Sequence, residues 1–141
     1  MSLYARFQRP GPSGFGYGST TDEVCRGLDL KGRRIVLTGS NSGLGLETLR
    51  VLTHHGATVL AAARTKAKAE DACAGFGENA VPVVCELSDP ASVRSCVEDV
   101  SGRGGVDAII CNAGIMALPK LEQCFGIEKQ FFTNHVGHFM L

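Results

Sequence analysis

The residues whose types and spacing best suit chemistry are Thr38-Gly39-Ser40-Asn41-Ser42-Gly43-Leu44-Gly45. An apolar run, Ile35-Val36-Leu37, leads in, and an amphipathic run from Leu44 to about His54 leads out. This reads as a strand, a glycine-rich turn and a helix start, a combination that holds phosphate. The first amides of a helix have no intrahelical partner and sit at the positive end of its dipole. Glycines let the backbone approach an anion closely. The spacing G-x-x-x-G-x-G differs from the common G-x-G-x-x-G fingerprint, and a glycine-rich turn alone can be just a turn.

Three further groups belong to the same chemistry. A dinucleotide site usually carries an acid about 20 residues after the glycines, to grip the ribose 2′-hydroxyl. Here Ala61-Ala62-Ala63-Arg64-Thr65-Lys66 stands there, with no acid before Glu70. A fixed, bidentate cation at Arg64 suits a 2′-phosphate, so NADP is expected over NAD. Ser40, Asn41 and Ser42 can add donors; the plainer reading of Arg64 is a solvated loop cation. Asn112-Ala113-Gly114 follows another apolar run, where Asn112 can also satisfy backbone groups at a strand end. Asn134 sits inside a helical pattern, where propensity disfavours it. His135 and His138 have the spacing of a metal pair but no evident third ligand, so no metal site is expected.

These residues need a frame, and the remaining chain supplies one. Thr20-Thr21-Asp22-Glu23 is a capping box opening a short helix that ends near Gly27. The first strand is expected over Arg33 to Thr38, and the next helix over Gly43 to His55 with Gly56 at C′. That helix carries Leu46, Leu49 and Leu52, flanked by Leu44 and Val51, and a Glu47–Arg50 pair. Thr58 to Ala62 reads as the second strand and Thr65 to Ala74 as a helix. The third strand is Val81 to Leu87. Asp89 as N-cap with Pro90 at N1 opens a helix to about Val100. A fourth strand spans Val106 to Cys111, and a last helix runs from about Phe125 to Leu141, with Phe131, Phe132, Val136, Phe139 and Met140 on an apolar face.

Four strand–helix alternations predict an α/β fold, a Rossmann-type doubly wound parallel sheet in the order 3-2-1-4. The sheet is expected to stop after the fourth strand and its following helix. Ligand then belongs beyond the carboxyl ends of strands one and four, at Thr38-Gly39 and Asn112-Ala113-Gly114. Residues 1–18, rich in Gly, Pro and aromatics, read as a flexible lead-in, and 19–141 as an incomplete NAD(P)-binding domain. An edge fourth strand and an unpartnered last helix predict an isolated chain that is unstable, homo-oligomeric or part of a longer protein.

Composition excludes several classes. Lys plus Arg and Asp plus Glu are 14 each, so no nucleic-acid partner is expected. No apolar run is long enough for a membrane segment, and residues 1–12 lack a secretory core, which makes the cytoplasm the expected location. The six cysteines lack C-x-x-C spacing and read as reduced thiols, with Cys85 and Cys111 in apolar runs.

Taken together, Thr38-Gly39-(x)3-Gly43-Leu44-Gly45, Asn112-Ala113-Gly114 and Asn134-His135-Val136-Gly137-His138-Phe139 resemble the short-chain dehydrogenase/reductase superfamily. The Asn-Ser-Gly of the turn, the Asn-His-x-Gly-His-Phe run and Gly27-Leu28-Asp29-Leu30-Lys31-Gly32 resemble its branch of retinol dehydrogenases and WW-domain oxidoreductases. The resemblance covers residues 19 to 141. It implies hydride transfer between NAD(P) and a small-molecule alcohol or carbonyl, expected to be hydrophobic. It places the phosphates at Gly39 to Gly45, the adenine at Glu86 and Leu87 (the family more often has Asp at the first), and the cofactor along Asn112, Ala113 and Gly114. It matches Asn134 to the active-site Asn, which bends its helix and positions a water in a proton relay, and makes His135 and His138 helix-packing or supporting residues. The family's Tyr-x-x-x-Lys is not in this chain, whose tyrosines are Tyr4 and Tyr17. This predicts a cofactor-binding half that is inactive alone, or a non-catalytic dinucleotide-binding or sensing module.

Overall fold

The computed structural model describes residues 10–141. The part of the expected lead-in at 1–9 lies outside the described residues. The elements are α1 (Thr21–Val24), β1 (Arg34–Thr38), α2 (Gly43–His54), β2 (Thr58–Ala63), α3 (Lys66–Cys73), β3 (Ala80–Val84), α4 (Pro90–Gly102) and β4 (Ala108–Ile110). They are followed by β5 (Gln123–Cys124), β6 (Ile127–Glu128), α5 (Lys129–Phe131), a π-helical turn (Phe132–Val136) and α6 (Gly137–Met140).

The main sheet has the order β3-β2-β1-β4, with all pairs parallel. β1 pairs Val36 with Leu60 on one side and with Ile109 on the other. Period-two alternation sends Val36, Leu60, Ala62 and Val83 into one core with Val93, Cys96 and Val100 of α4. Ile35, Leu37, Val59 and Ala61 face the other way, onto Leu49 of α2 and Ala72 of α3. Helices therefore cover both faces, as the Rossmann-type reading requires. Among the described residues no helix is long and apolar enough to cross a membrane.

The caps follow the sequence. Thr20 and Glu23 form a complete capping box, and Asp89 accepts from Ala91 N–H with Pro90 at the first helical position. Gly56, at φ 92°, closes α2 as a C′ glycine. Arg50 pairs with Glu47 at 2.8 Å and with Asp22 at 2.8 Å, tying α1 to α2. The Arg50 guanidinium, helped by the Thr21 hydroxyl, holds the Glu47 carboxyl down at about 2.

Several expectations are corrected. Of Leu44, Leu46, Leu49, Val51 and Leu52, only Leu49 and Val51 are buried, and Leu44 at the start of α2 is 82% exposed. β3 ends at Val84: Cys85 N–H still donates to Ala63 O, but Asp89 N–H then turns back to Glu86 O. β4 pairs only over Ala108–Ile110, and Asn112 N–H folds onto Ile110 O, so Cys111 lies past the ladder and is exposed. The last helix begins at Lys129 rather than Phe125. Phe125 (φ 54°) and Gly126 (φ 77°) instead form the two-residue turn of a β5–β6 hairpin, a positive-φ pair that suits the strand twist. The face of that helix is buried at Phe132 but exposed at Phe131 and Phe139.

Candidate functional site

The strand ends converge on a cleft of 480 Å³, within the range of about 300–1,000 Å³ usual for small-molecule sites. Gly39, Asn41, Ser42, Gly43, Leu44 and Gly45 line it from the turn, Arg64 from the end of β2, Glu86 and Leu87 from after β3, and Asn112, Ala113 and Gly114 from after β4. Thr38, Lys68, Cys85, Ile115 and Thr133 also line it. The crevice thus opens where β1 and β4 diverge, the switch point of the sheet.

The turn is shaped by what its glycines exclude. Gly39 has φ 68° and Gly43 φ 53°, conformations that carry a steric cost for other residues. A Cβ at Gly39 would stand 2.9 Å from Ala113 Cα. One at Gly45 would collide with Gly39 O and reach within 2.6 Å of Asn112 Nδ2. The turn and the Asn-Ala-Gly segment are therefore pressed together. Asn112 Nδ2 bonds them by donating to Thr38 O (2.9 Å) and Gly39 O (3.2 Å). The Thr38 hydroxyl accepts from Asn112 N–H and Ala113 N–H, each at 3.0 Å. Ser42, the N-cap of α2, makes no capping bond, and the first turn has no acid. The amide end of α2 is left for an anion.

Ser40 is the one turn residue that does not line the cleft. Its side chain is fully buried and its hydroxyl is directed at Ala62 O, 3.5 Å away. Packing against the β1–β2 ladder takes the donor that the sequence offered to ligand. Glu86 faces the cleft, but its Oε1 accepts from Ser88 N–H (3.1 Å) and Ser88 Oγ–H (2.7 Å), which fixes the turn beneath Leu87. Arg64 is exposed and Lys68 half-buried.

Asn134 stands at the centre of the π-turn, in which Gly137 N–H reaches back five residues to Phe132 O. Such a turn is wider than an α-helical one by one residue. The Asn134 amide clamps the backbone of Ile115, accepting from its N–H and donating to its carbonyl, both at 2.8 Å. The backbone carbonyl of Asn134 lies 2.9 Å from His138 Nδ1, and His138 Nε2 lies 2.8 Å from Thr38 Oγ1. With Nδ1 protonated, His138 donates to Asn134 O and accepts the Thr38 hydroxyl proton, so one network joins β1, the β4 end and the last helix. Gly137 allows that helix to lie against Leu87, since a Cβ there would collide with Leu87 O. His135 stacks on Phe131, with ring centroids 5.1 Å apart. No group of three or more metal-ligating side chains occurs among the described residues.

Four residues that sequence reasoning missed are Thr38 as a hydroxyl bridge, Ile115, Lys68 and Thr133. Lys68 carried a usable signal: with Lys66 it places two cations at the positive end of α3, against the dipole. Thr133 is buried and its hydroxyl has no hydrogen-bond partner among the described residues. That orphaned group, the glycine cradle and the open α2 amides fit a phosphate-bearing dinucleotide in this cleft.

Comparison with known proteins agrees. The short chain dehydrogenase family profile matches residues 33–141. A probable oxidoreductase of Streptomyces antibioticus is 45% identical over 120 residues, covering 81% of this chain and 40% of that protein. The WW domain-containing oxidoreductase of Drosophila melanogaster is 37% identical over 131 residues, covering 87% of this chain and 32% of its own length. An uncharacterised protein from Mycobacterium paratuberculosis superposes with a TM-score of 0.74 at 38% identity, covering 89% of this chain and 44% of that one. The chain spans less than half the length of these relatives. It belongs to the short-chain dehydrogenase family, whose members are oxidoreductases that bind NAD(P).

Proposed function

We propose that this chain is the cofactor-binding portion of an NADP-dependent oxidoreductase acting on a hydrophobic alcohol or carbonyl. The observation that carries the cofactor preference is the pair Arg64 and Lys68 on the cleft beyond β2. Neither cation is in an ion pair among the described residues. Two cations with no carboxylate between them suit a 2′-phosphate and disfavour the acid-gripped ribose of NAD. The turn Gly39–Gly45 holds the pyrophosphate, Leu87 walls the adenine, and Asn112, Ala113 and Gly114 carry the rest of the dinucleotide. The cofactor, when bound, supplies or accepts the hydride. Asn134 is assigned the part of the family's active-site Asn, positioning a water through the Ile115 clamp.

A carbonyl reduction also needs a proton donor beside the reacting carbon, and no Tyr-x-x-x-Lys stands in these 141 residues. The chain therefore binds cofactor without turnover, and NADPH oxidation with a hydrophobic carbonyl is expected to stay at background. The expected compartment is the cytoplasm. The preference is tested by titrating NADPH and NADH into the chain and its Arg64→Ala variant. The affinity ratio is expected to fall by roughly 10-fold or more, as for loss of a charge-assisted hydrogen bond. An unchanged ratio refutes the assignment.

A further inference from the structure

Cys85 and Cys96 carry no pairing signal in their spacing, but the fold brings them together in the core on the α4 face of the sheet. Two periodicities place them. Cys85 follows Val83 by two residues, so both side chains point to the face that α4 covers. Cys96 lies one helical turn after Ser92, on the same side of α4. Ser92 Oγ accepts from Glu86 N–H at 2.9 Å, which pins the start of α4 over the residue next to Cys85. The two thiols meet there and are hydrogen-bonded to each other.

Two small apolar side chains could simply fill a core. Two further observations point to chemistry. First, Cys96 forms part of the wall of a 390 Å³ cavity distinct from the cofactor cleft. That cavity runs along β3, an edge strand of the sheet, and is flanked by Ala69 of α3 and Ser95 of α4. It has ample room for a molecule little larger than water. Second, the two thiols are unlike. The hydrogen bond from Cys85 lowers the pKa of the Cys96 thiol, against burial and the Asp99 carboxylate, and so favours its thiolate. The same contact pushes the Cys85 thiol up, so that it keeps its proton. A thiolate beside a protonated thiol is the arrangement of an attacking and a resolving cysteine.

We propose that Cys85 and Cys96 are a redox modification site, closing to a reversible disulfide when a hydroperoxide reaches Cys96 through the cavity beside β3. The Cys96 thiolate attacks one peroxide oxygen and the O–O bond breaks, leaving Cys96 as the sulfenic acid and releasing hydroxide, which is protonated to water. The Cys85 sulfur then attacks the Cys96 sulfur. The S–S bond forms, the S–O bond breaks, and the hydroxyl leaves with the Cys85 proton as a second water. The thiol pair loses two electrons, and these reduce the peroxide. The bond ties α4 to the end of β3, where Cys85 precedes Glu86 and Leu87 of the cofactor cleft.

The test maps disulfides in the folded, fully reduced chain after treatment with hydrogen peroxide and alkylation of the remaining thiols. Cleavage by trypsin at Arg94 and by a glutamyl protease at Glu78 separates Cys85 from both Cys96 and Cys73. A Cys85–Cys96 linked peptide is expected as the main disulfide product. It should be lost on treatment with dithiothreitol and fail to form preferentially when the chain is oxidised in urea. Cys96→Ser should leave Cys85 as an alkylatable thiol after the same treatment. The wild-type map decides the matter whether or not that variant folds. Recovery of Cys85 and Cys96 as free thiols while the exposed Cys111 is oxidised overturns the proposal. So does linkage of either one mainly to another cysteine, or an equal yield of the pair in urea.

Discussion

Among the three glycines of the Gly39–Gly45 turn, Gly45 has the least room for a side chain. Its Cα faces Gly39 O and the Asn112 amide so closely that a methyl group has no space. Neither neighbour is the free end of a flexible chain: one is backbone, and the other already donates two hydrogen bonds. Gly45→Ala must therefore push α2 away from the Asn112 segment. It is expected to cost about 1–3 kcal/mol, as overpacking generally does, and to show as a lower thermal unfolding midpoint. Gly43 makes an instructive contrast. Nothing lies within 4 Å of a Cβ there, and its requirement is the φ of 53° alone. Two glycines of one motif are thus needed for different reasons, a distinction that spacing does not carry. Lys68 shows the same limit from the other side: residue type was visible, but its place on the cleft depends on where α3 starts.

At the scale of elements, the last helix is the part that binds the site together. Its π-turn sets Asn134 against Ile115, His138 against Thr38 and Gly137 against Leu87. Each contact joins a different strand end. Asn134→Ala removes both bonds to Ile115 and leaves that backbone pair without its partners. It is expected to destabilise by about 1–3 kcal/mol, with amide exchange accelerating first in the Asn112–Ile115 segment and at Gly39. Uniform acceleration over all strands, or none, would show that the clamp is not what orders this loop. The helix itself was legible from its apolar spacing, but neither its start nor its π-turn was. Phe125-Gly126 reads as helix by hydrophobicity and is turned into a hairpin by two positive φ values, one of them on a phenylalanine. A π-turn adds one residue to a helical turn without altering the apolar pattern enough to be seen.

For the whole molecule, alternating apolar runs and caps were enough to give the sheet order and the two-sided covering by helices. The reason is physical: parallel strands buried on both faces must be continuous apolar runs, and crossovers have one hand. The lining of the cleft was legible where it is made of backbone turns, at Gly39–Gly45 and Asn112–Gly114. It was not legible where a side chain is redirected by packing, as at Ser40, or orphaned by local helix geometry, as at Thr133. The chain's own architecture also leaves β4 as an edge strand and Phe139 and Met116 exposed, 86% and 87% respectively. The cleft, by contrast, is lined from the ends of all four strands and by Thr133 of the last helix.

The most direct measurement is an NADPH titration of the isotope-labelled chain followed by amide chemical shifts, with NADH titrated in parallel. The account predicts saturable shifts at Gly39–Gly45, Arg64, Leu87 and Asn112–Gly114, at lower concentrations of NADPH than of NADH. Shifts that bypass the turn, or no saturable binding by a folded chain, would contradict it.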